Sequence, residues 1–287
     1  MHNAASLFQP MKILATADLH VDLVENETEW GMFRKIAERA AAVGPDVLIH
    51  AGDLAGFRKE EIRKGLELFA ELKCTKLAVP GNHELWLREG DSYDFYRNRL
   101  PGLFAEAGFQ MLDTEPVVLG TTAFVGNVGW YDLSFRDASL SGPDEACYQS
   151  KRWPGRVIWN DGPYVRLGRS DAAFCEELRQ RIESQIRSLP PVVATIVAVT
   201  HHVAFAEMAN RPGDDEVGRF CAAFSGRAAL GRLLIQDPRI RYHICGHTHA
   251  KQRVTKGHVE SINVGSTYEA KRFAMIELSG AGGAYVP

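Results

Sequence analysis

Three short apolar runs separated by helical stretches constrain the fold of this chain more than any other feature of its sequence. The runs lie at 12–17, 46–51 and 75–79. Helical stretches occupy 29–42 and 59–72, and the second of them has apolar side chains three and four residues apart. Strands separated by helices of this length form right-handed βαβ units. The first half of the chain therefore predicts a mainly parallel sheet.

After residue 109 the apolar runs become shorter and follow one another closely. Three of them within 109–128 favour antiparallel pairing. A long helix is predicted over 171–189, with Asp171 as its N-cap and a Pro-Pro pair as its end. Further strands are predicted at 192–200, 239–245, 250–255, 258–264 and 272–278. So many strands indicate an α/β fold in which two sheets pack face to face as a β sandwich flanked by helices.

The predicted domain organisation is simple, with one interruption. Residues 1–10 are expected to be an N-terminal tail, and residues 11–287 a single domain. Segment 132–170 matches neither a helical nor a strand pattern, and it contains five aromatic, six basic and five acidic residues. Loops this long in a compact domain are usually functional or disordered, and the aromatic residues argue against disorder. We therefore expect an irregular insertion or lid that covers a site and selects its substrate.

Charge and cysteine content exclude several classes of protein. The chain has 33 basic and 36 acidic side chains and a net charge of −3, so it offers no strong field for nucleic acid or an anionic membrane. Its longest apolar stretch, 192–199, is less than half the length that spans a bilayer. The five cysteines are scattered without a CxxC pair, which is typical of reduced thiols. A cytoplasmic protein without membrane association is predicted.

Five short polar elements stand out because each comes at or just after the end of a predicted strand. Each contains residue types that ligate hard or borderline metals. In chain order they are Asp18-Leu19-His20, Gly52-Asp53, Gly81-Asn82-His83-Glu84, His201-His202 and Gly246-His247-Thr248-His249. Ligand sites in open α/β sheets form at the carboxyl ends of strands. The five elements are therefore expected to converge on one rim.

The residue types and their spacing favour a site for two metals. Asp18 and His20 are two residues apart, as are His247 and His249, and such a pair leaving a strand can point both donors to one side. Two metals about 3.5–4 Å apart need a ligand that bridges them, for which a carboxylate is suited. Asp53 is the candidate bridge. Imidazole, carboxylate and amide donors without thiolate favour Mn, Fe, Co or Zn.

Taken in order, the five elements resemble the pattern of the calcineurin-like metallophosphoesterase family. That pattern reads D-x-H, G-D, G-N-H-[DE], a strand-terminal H and G-H-x-H, and each position has a counterpart between residues 18 and 249. The resemblance thus covers nearly the whole chain. It implies a four-layer αββα fold and a hydrolase that uses two metal ions.

The resemblance also implies, position by position, two metal sites that share the carboxylate of Asp53. The other ligands of the first site are Asp18, His20 and His249. The other ligands of the second site are Asn82, His201 and His247. His202 stays open as an alternative to His201, since either side chain could leave the strand toward the metals.

The catalytic residue that the resemblance implies is His83. It would contact the scissile phosphate and protonate the leaving oxygen while a metal-bridging hydroxide attacks phosphorus. One position departs from part of the family. Some phosphoprotein phosphatases have an Asp three residues after the bridging Asp, which orients the catalytic His, and this chain has Gly56 there. Either another acid supports His83, with Glu84 as the candidate, or the site relies less on general acid catalysis. The departure argues against the protein-phosphatase branch.

The predicted function is hydrolysis of phosphate mono- or diesters of small molecules such as nucleotides. A nuclease for single-stranded nucleic acid is the nearest alternative, because segment 132–170 has aromatic residues and arginines, but its near-neutral charge argues against it. A non-catalytic metal-binding module is the alternative of another class, and the presence of every motif position argues against that. Trp130 and Tyr131 are expected either to line the substrate pocket or to pack beneath segment 132–170.

Overall fold

The computed structural model describes residues 10–24, 27–209 and 215–278. Of the predicted tail at 1–10, only Pro10 is among the described residues. The strands in these ranges are β1 (Met11–Thr16), β2 (Val47–Ala51), β3 (Thr75–Val79), β4 (Gln110–Met111), β5 (Val117–Leu119), β6 (Thr122–Asn127), β7 (Arg152–Trp153), β8 (Val157–Ile158), β9 (Thr195–Thr200), β10 (Ile240–Cys245), β11 (Gln252–Lys256), β12 (Val259–Asn263) and β13 (Ala274–Leu278). The α-helices are α1 (Glu27–Val43), α2 (Lys59–Glu67), α3 (Ser92–Asp94), α4 (Leu100–Glu106), α5 (Glu145–Gln149), α6 (Asp161–Tyr164), α7 (Asp171–Ser188), α8 (Glu216–Cys221) and α9 (Ala228–Gln236).

Most of the strands form two mixed sheets, each with a parallel centre. The first sheet has the order β13-β1-β2-β3-β4, and only β13 is antiparallel to its neighbour. The second sheet has the order β11-β12-β10-β9-β6-β5. In this sheet only the two edge strands, β11 and β5, are antiparallel to their neighbours. Strands β7 and β8 form a separate hairpin. Because the central strands of each sheet are parallel, their carboxyl ends lie along one edge of that sheet.

Alternate side chains along the central strands divide the apolar core into three layers. Ile49 of β2 and Val197 of β9 pack in the layer between the two sheets. Leu48 points to the other side, toward α1, α2 and α4. Ile196 likewise points away from the first sheet, toward α7 and α9. The order helix, sheet, sheet, helix confirms the predicted αββα sandwich.

Two details of the sequence interpretation are wrong. Of the three short strands within 109–128, only β5 and β6 pair antiparallel, because the chain crosses from the first sheet to the second between Met111 and Val117. Strands β4 and β5, although close in sequence, therefore belong to different sheets. The N-cap of α7 is Ser170, whose hydroxyl accepts a hydrogen bond of 3.2 Å from the backbone N–H of Ala173. Asp171 is the first residue of the helix.

Segment 132–170 contains regular elements that pack on the domain. It comprises α5, the β7–β8 hairpin and α6, and Tyr148 and Leu167 are buried in the same core layer as α1. Trp130 and Tyr131, which precede it, are fully buried with ring centroids 4.8 Å apart, so they pack beneath the segment. Within the described residues, no helix combines the length and the apolar character needed to cross a bilayer.

Candidate metal centre

The five polar elements meet where strands of both sheets end. Three of them follow β1, β2 and β3 of the first sheet, and two follow β9 and β10 of the second. Each predicted site residue has a side-chain atom within 4 Å of a side-chain atom of another predicted site residue. The structure therefore brings together Asp18, His20, Asp53, Asn82, His83, His201, His247 and His249.

A first group of donors consists of Asp18, His20 and His249. The Nε2 atoms of the two histidines are 3.3 Å apart, and His249 Nε2 is 3.7 Å from Asp18 Oδ1. Asp18 Oδ2 and His20 Nδ1 are buried and have no hydrogen-bond partner among the described residues. Buried polar atoms are normally paired, and unpaired ones at a cluster of nitrogen and oxygen donors fit a metal ion.

A second group consists of Asn82, His201 and His247. His247 Nδ1 lies 3.1 Å from both Asn82 Oδ1 and His201 Nε2. His202 Nδ1 is instead 3.0 Å from the backbone oxygen of Val128, and its ring packs beside that of His247. The contacts therefore favour His201 over His202 as the member of this group.

Asp53 lies between the two groups. Its Oδ2 atom is 3.1 Å from His201 Nε2, 3.7 Å from His83 Nε2 and 3.9 Å from His20 Nε2. Its Oδ1 atom accepts a hydrogen bond of 3.0 Å from the backbone N–H of His83. One carboxylate thus faces donors that come from both sheets.

The turns that carry these donors have unusual backbone conformations. Five predicted ligands have a left-handed backbone, with φ between 47° and 71°: Asp18, His20, Asp53, His247 and His249. This conformation costs roughly 1–3 kcal/mol for a residue other than glycine, and such strain clusters at functional sites. Position 246 requires glycine because the backbone there lies close to the Asp18 side chain. A Cβ atom at this position would be 2.6 Å from Asp18 Oδ2.

Glu84 holds two of these turns together. Its fully buried carboxylate accepts hydrogen bonds from the backbone N–H groups of Asp53, Leu54, Ala55 and Gly81, at 2.6–3.0 Å. The interpretation of Glu84 as a partner of the His83 imidazole is therefore wrong, because both carboxylate oxygens are used by backbone groups. Its role is to fix the turn after β2 against the turn after β3.

Glu84→Gln is expected to lower the free energy of unfolding by at least about 2 kcal/mol. The new amide NH₂ would face backbone N–H groups, and each buried donor left without an acceptor costs about 1–3 kcal/mol. Denaturant unfolding of the purified variant measures this. Glu183→Gln is the matched control, since Glu183 is 35% exposed in ion pairs with Arg179 and Arg187, and it should change stability by less than about 0.5 kcal/mol. Equal effects of the two substitutions would contradict the assigned role.

His83 lies at the surface of the site, with 13% of its side chain exposed. Its ring stacks on Trp86, with centroids 3.6 Å apart and planes at 27°. A Cβ atom at Gly56 would lie 3.6 Å from His83 Nδ1 and 3.1 Å from Asp22 Oδ2. Gly56 thus leaves room on this side of the imidazole, where Asp22 and the Trp86 ring are the neighbours.

Burial and neighbouring charges shift the pKa values of these groups. Burial would raise the pKa of Asp53, but attraction to His201 and His83 outweighs it and holds that pKa well below its usual range. Burial opposes a positive charge on His201, yet Asp53 raises the pKa of this imidazole to about 9. Burial lowers the pKa of His20 and His247 well below the usual value. The latter two are thereby kept neutral, the form of histidine that binds metals.

A buried carboxylate that the sequence did not indicate lies next to the site. Asp161, the first residue of α6, is 1% exposed and accepts hydrogen bonds from four side chains. The donors are Asn82 Nδ2 at 2.9 Å, Trp86 Nε1 at 2.6 Å, Tyr131 Oη at 2.9 Å and Trp159 Nε1 at 2.7 Å. No motif surrounds Asp161, and its most distant partner, Asn82, is 79 residues away in the sequence, so the sequence pattern gives no signal for it.

A cavity of about 750 Å³ opens over these donors. Its floor includes Asp53, Asn82, His83 and His247. One part of its wall comes from segment 132–170, and another part comes from α8 and the turn after it. The wall residues are Val157, Ile158, Trp159, Asn160, Gly218, Cys221, Ala222 and Ser225. Leu23 and Tyr268 line it as well, and both are more than half exposed.

Residues 11–251 match the model of the calcineurin-like phosphoesterase family. An uncharacterized metallophosphoesterase of Aquifex aeolicus (strain VF5) is 29% identical over 120 residues. That stretch covers 41% of this chain and 42% of the relative, so less than half of the relative's length is matched.

Solved structures share the fold. Phosphopantetheinyl hydrolase from Mycobacterium tuberculosis has a TM-score of 0.69 at 20% identity, covering 92% of this chain and 95% of that one. A dimetal phosphatase from Danio rerio has a TM-score of 0.56 at 15% identity, covering 94% and 93%. At these identities the two structures speak for the fold alone, whereas the family match includes all five polar elements. The chain therefore belongs to the calcineurin-like phosphoesterase family.

Proposed function

We propose that this enzyme hydrolyses phosphate mono- or diesters of small molecules, with Asp53 serving two metal ions. The observation that carries the proposal is the place of Asp53 Oδ2, 3.1 Å from His201 Nε2 and 3.9 Å from His20 Nε2. A carboxylate between two groups of donors suits a pair of cations. One ion would be held by Asp18, His20, Asp53 and His249. The other would be held by Asp53, Asn82, His201 and His247.

The chemistry of the donors decides which ions fit. Imidazole nitrogens, carboxylate oxygens and one amide oxygen, without a thiolate, suit Mn, Fe, Zn or Co. Two such ions supply Lewis acidity that draws charge from the phosphoryl oxygens and favours attack by water. The protein's part is to hold the donors in place, and the strained turns and the Glu84 hydrogen bonds do this before any substrate arrives.

His83 is the group of this chain that would protonate the leaving oxygen. It lines the cavity, while the predicted ligands beside it are more deeply buried. Burial lowers the pKa of its imidazole, and the charges of Asp53 and Asp161 oppose that effect. Stacking on Trp86 limits rotation of the ring, so the imidazole keeps its place beside Asp53, whose Oδ2 is 3.7 Å from His83 Nε2.

The cavity walls favour an ester with one phosphate and an uncharged organic group. The described residues that line the cavity include no lysine or arginine, so a second phosphate would have no cationic side chain to pair with. Val157, Ile158 and Trp159 instead offer an apolar and aromatic surface. A nucleotide with a single phosphate, whose base can pack on an aromatic ring, has these properties.

The same walls argue against a nuclease. A single-stranded nucleic acid needs a basic groove along its backbone. Three arginines of segment 132–170 are engaged elsewhere, Arg136 with Glu145, Arg156 with Glu216 and Arg169 with Glu177. They are thus paired with acids and absent from the lining of the cavity.

A substrate panel tests the proposal. Protein reconstituted with Mn²⁺, Zn²⁺, Co²⁺ or Fe²⁺ would be assayed with paired mono- and diesters of nitrophenol, mononucleotides, cyclic nucleotides and single-stranded DNA. Hydrolysis of the small esters, with DNA the poorest substrate, is expected. DNA as the best substrate would favour the nuclease. No turnover of any ester with any metal would favour a non-catalytic module.

Ile158→Lys is expected to improve hydrolysis of nucleoside bisphosphates, in which both phosphates are esters, relative to monophosphates by about fivefold, since an exposed charge pair contributes up to about 1 kcal/mol. Ile158 lines the cavity and is 50% exposed, so the fold should tolerate the change. The ratio of the two kcat/KM values measures the effect. Val192→Lys, at a 59% exposed position outside the cavity lining, is the matched control. An unchanged ratio in Ile158→Lys would contradict the assignment of this wall.

Replacement of the whole of segment 132–170 is unsuitable as a test of substrate selection, because side chains of this segment contribute to the core.

A further inference from the structure

Asp161 is unusual because, among the described residues, its buried carboxylate accepts hydrogen bonds from side chains and none from backbone N–H groups. Oδ1 accepts from Asn82 Nδ2 and Trp86 Nε1, and Oδ2 accepts from Tyr131 Oη and Trp159 Nε1. All four donors are thus held by one side chain. A buried carboxylate satisfied in this way forms a rigid network, since each donor would lose its partner if the carboxylate moved.

The bond to Asn82 decides which end of the amide faces the metal centre. An ionised carboxylate can only accept hydrogen bonds, so the NH₂ group of Asn82 must point to Asp161. The amide oxygen is then left to face His247 Nδ1, 3.1 Å away. Rotation of the amide by half a turn would place NH₂ hydrogens, which cannot bind a cation, where the oxygen now lies.

The bond to Trp86 extends the same control to His83. The indole N–H donates to Asp161 Oδ1 at 2.6 Å, and the indole ring stacks on the His83 imidazole. The position of the indole therefore depends on Asp161, and the plane of the imidazole depends on the indole. The Asp161 carboxylate thus acts on two neighbouring residues of the Gly81–Glu84 turn. It holds Asn82 by a direct hydrogen bond and His83 through the Trp86 ring.

We propose that Asp161 is a positioning residue, which orients the Asn82 oxygen toward a metal ion and fixes His83 through Trp86. The inference rests on the proposed function in one respect, that Asn82 is a ligand. It also assigns a second role to segment 132–170, which reaches beneath the metal centre as well as forming one wall of the cavity above it. Asp161 itself touches neither metal nor substrate.

Metal titration of Asp161→Asn tests this independently of turnover. Calorimetry with Mn²⁺ on metal-free protein should show two binding events for the wild type. In the variant, one event should be about 10–100-fold weaker, as is usual when the outer partner of a ligand is removed. The other event should keep its affinity, since Asp161 makes no contact with Asp18, His20 or His249.

Asp113→Asn is the matched control. Asp113 is also a buried carboxylate, with hydrogen bonds to Tyr96 and the backbone N–H of Val128, and it contacts none of the predicted ligands. It should lose stability but keep both metal affinities. Asp161→Asn with two wild-type affinities would overturn the inference, and so would equal weakening of metal binding in both variants.

Asn82→Asp tests the same hydrogen bond from its other end, including the case in which Asp161→Asn does not fold. By ligand chemistry alone, a carboxylate should bind a hard cation more tightly than an amide. The structure predicts weaker binding at that site. Asn82 Nδ2 is 2.9 Å from Asp161 Oδ1, and in the variant two carboxylates would face each other at this distance. Tighter binding would overturn the inference. A wild-type protein that binds two ions and hydrolyses no ester would refute the proposed function while leaving these affinities to decide the role of Asp161.

Discussion

Asp53→Asn is expected to leave the purified protein with neither of its two metal ions. The carboxylate faces both groups of donors, and an amide offers one weak, uncharged oxygen in its place. Loss of both ions should lower the rate of ester hydrolysis by a factor of about 10³ or more, since the charge stabilisation they supply amounts to several kcal/mol.

Elemental analysis decides this prediction, as the ratio of metal to protein after reconstitution and desalting. The wild type should give a ratio close to two. Asp113→Asn, which changes a buried carboxylate away from the site, should give the same ratio as the wild type. If Asp53→Asn loses only one ion, Asp53 is a terminal ligand and the proposed bridge is wrong.

His83→Ala is expected to keep both metal ions while the rate falls by roughly 10²–10⁴, the usual contribution of a general acid. The imidazole lines the cavity, and each of the two proposed ion sites is complete without it. Elemental analysis establishes that the metals are retained. Steady-state kinetics with a natural ester, whose leaving group is a poor one, measures the loss of rate.

A series of leaving groups separates protonation from binding in this variant. Nitrophenolate leaves without a proton, so the loss of rate should be small for nitrophenyl esters and large for alkyl esters. His258→Ala is the control, because His258 bonds to the backbone oxygen of Asp237, a residue that takes no part in the cavity lining. An equal loss for good and poor leaving groups would show that His83 binds phosphate without protonating the ester oxygen.

The sequence predicted those features that depend on local pattern. The strand ends could be located because an apolar run stops and a glycine or a polar residue follows, as at Gly52-Asp53 and Gly246-His247. The family match confirms the resemblance that the five polar elements carried. The two-sheet sandwich followed from the number of strands, and the structure confirms it.

Features that depend on contacts between distant residues could not be predicted in this way. Asp161 meets Asn82 across 79 residues, and no periodicity or motif indicates such a pair. The sequence indicates His83 as the partner of Glu84 because the two are neighbours, whereas the Glu84 carboxylate turns inward to the backbone after β2. The crossing between β4 and β5 was missed because a short connection favours a hairpin unless the two strands belong to different sheets.

The spread of the donors along the chain bears on when metal can be acquired during synthesis. Each proposed ion site includes a histidine that follows β10, His247 in one case and His249 in the other. While the chain is still emerging from the ribosome, Asp18, His20 and Asp53 are available long before these two residues. Any cation captured at that stage is held without its last imidazole and exchanges readily. With the proposed ligands, the choice of ion would therefore be made by the finished protein, after residue 249 has left the exit tunnel and the second sheet has closed on the first.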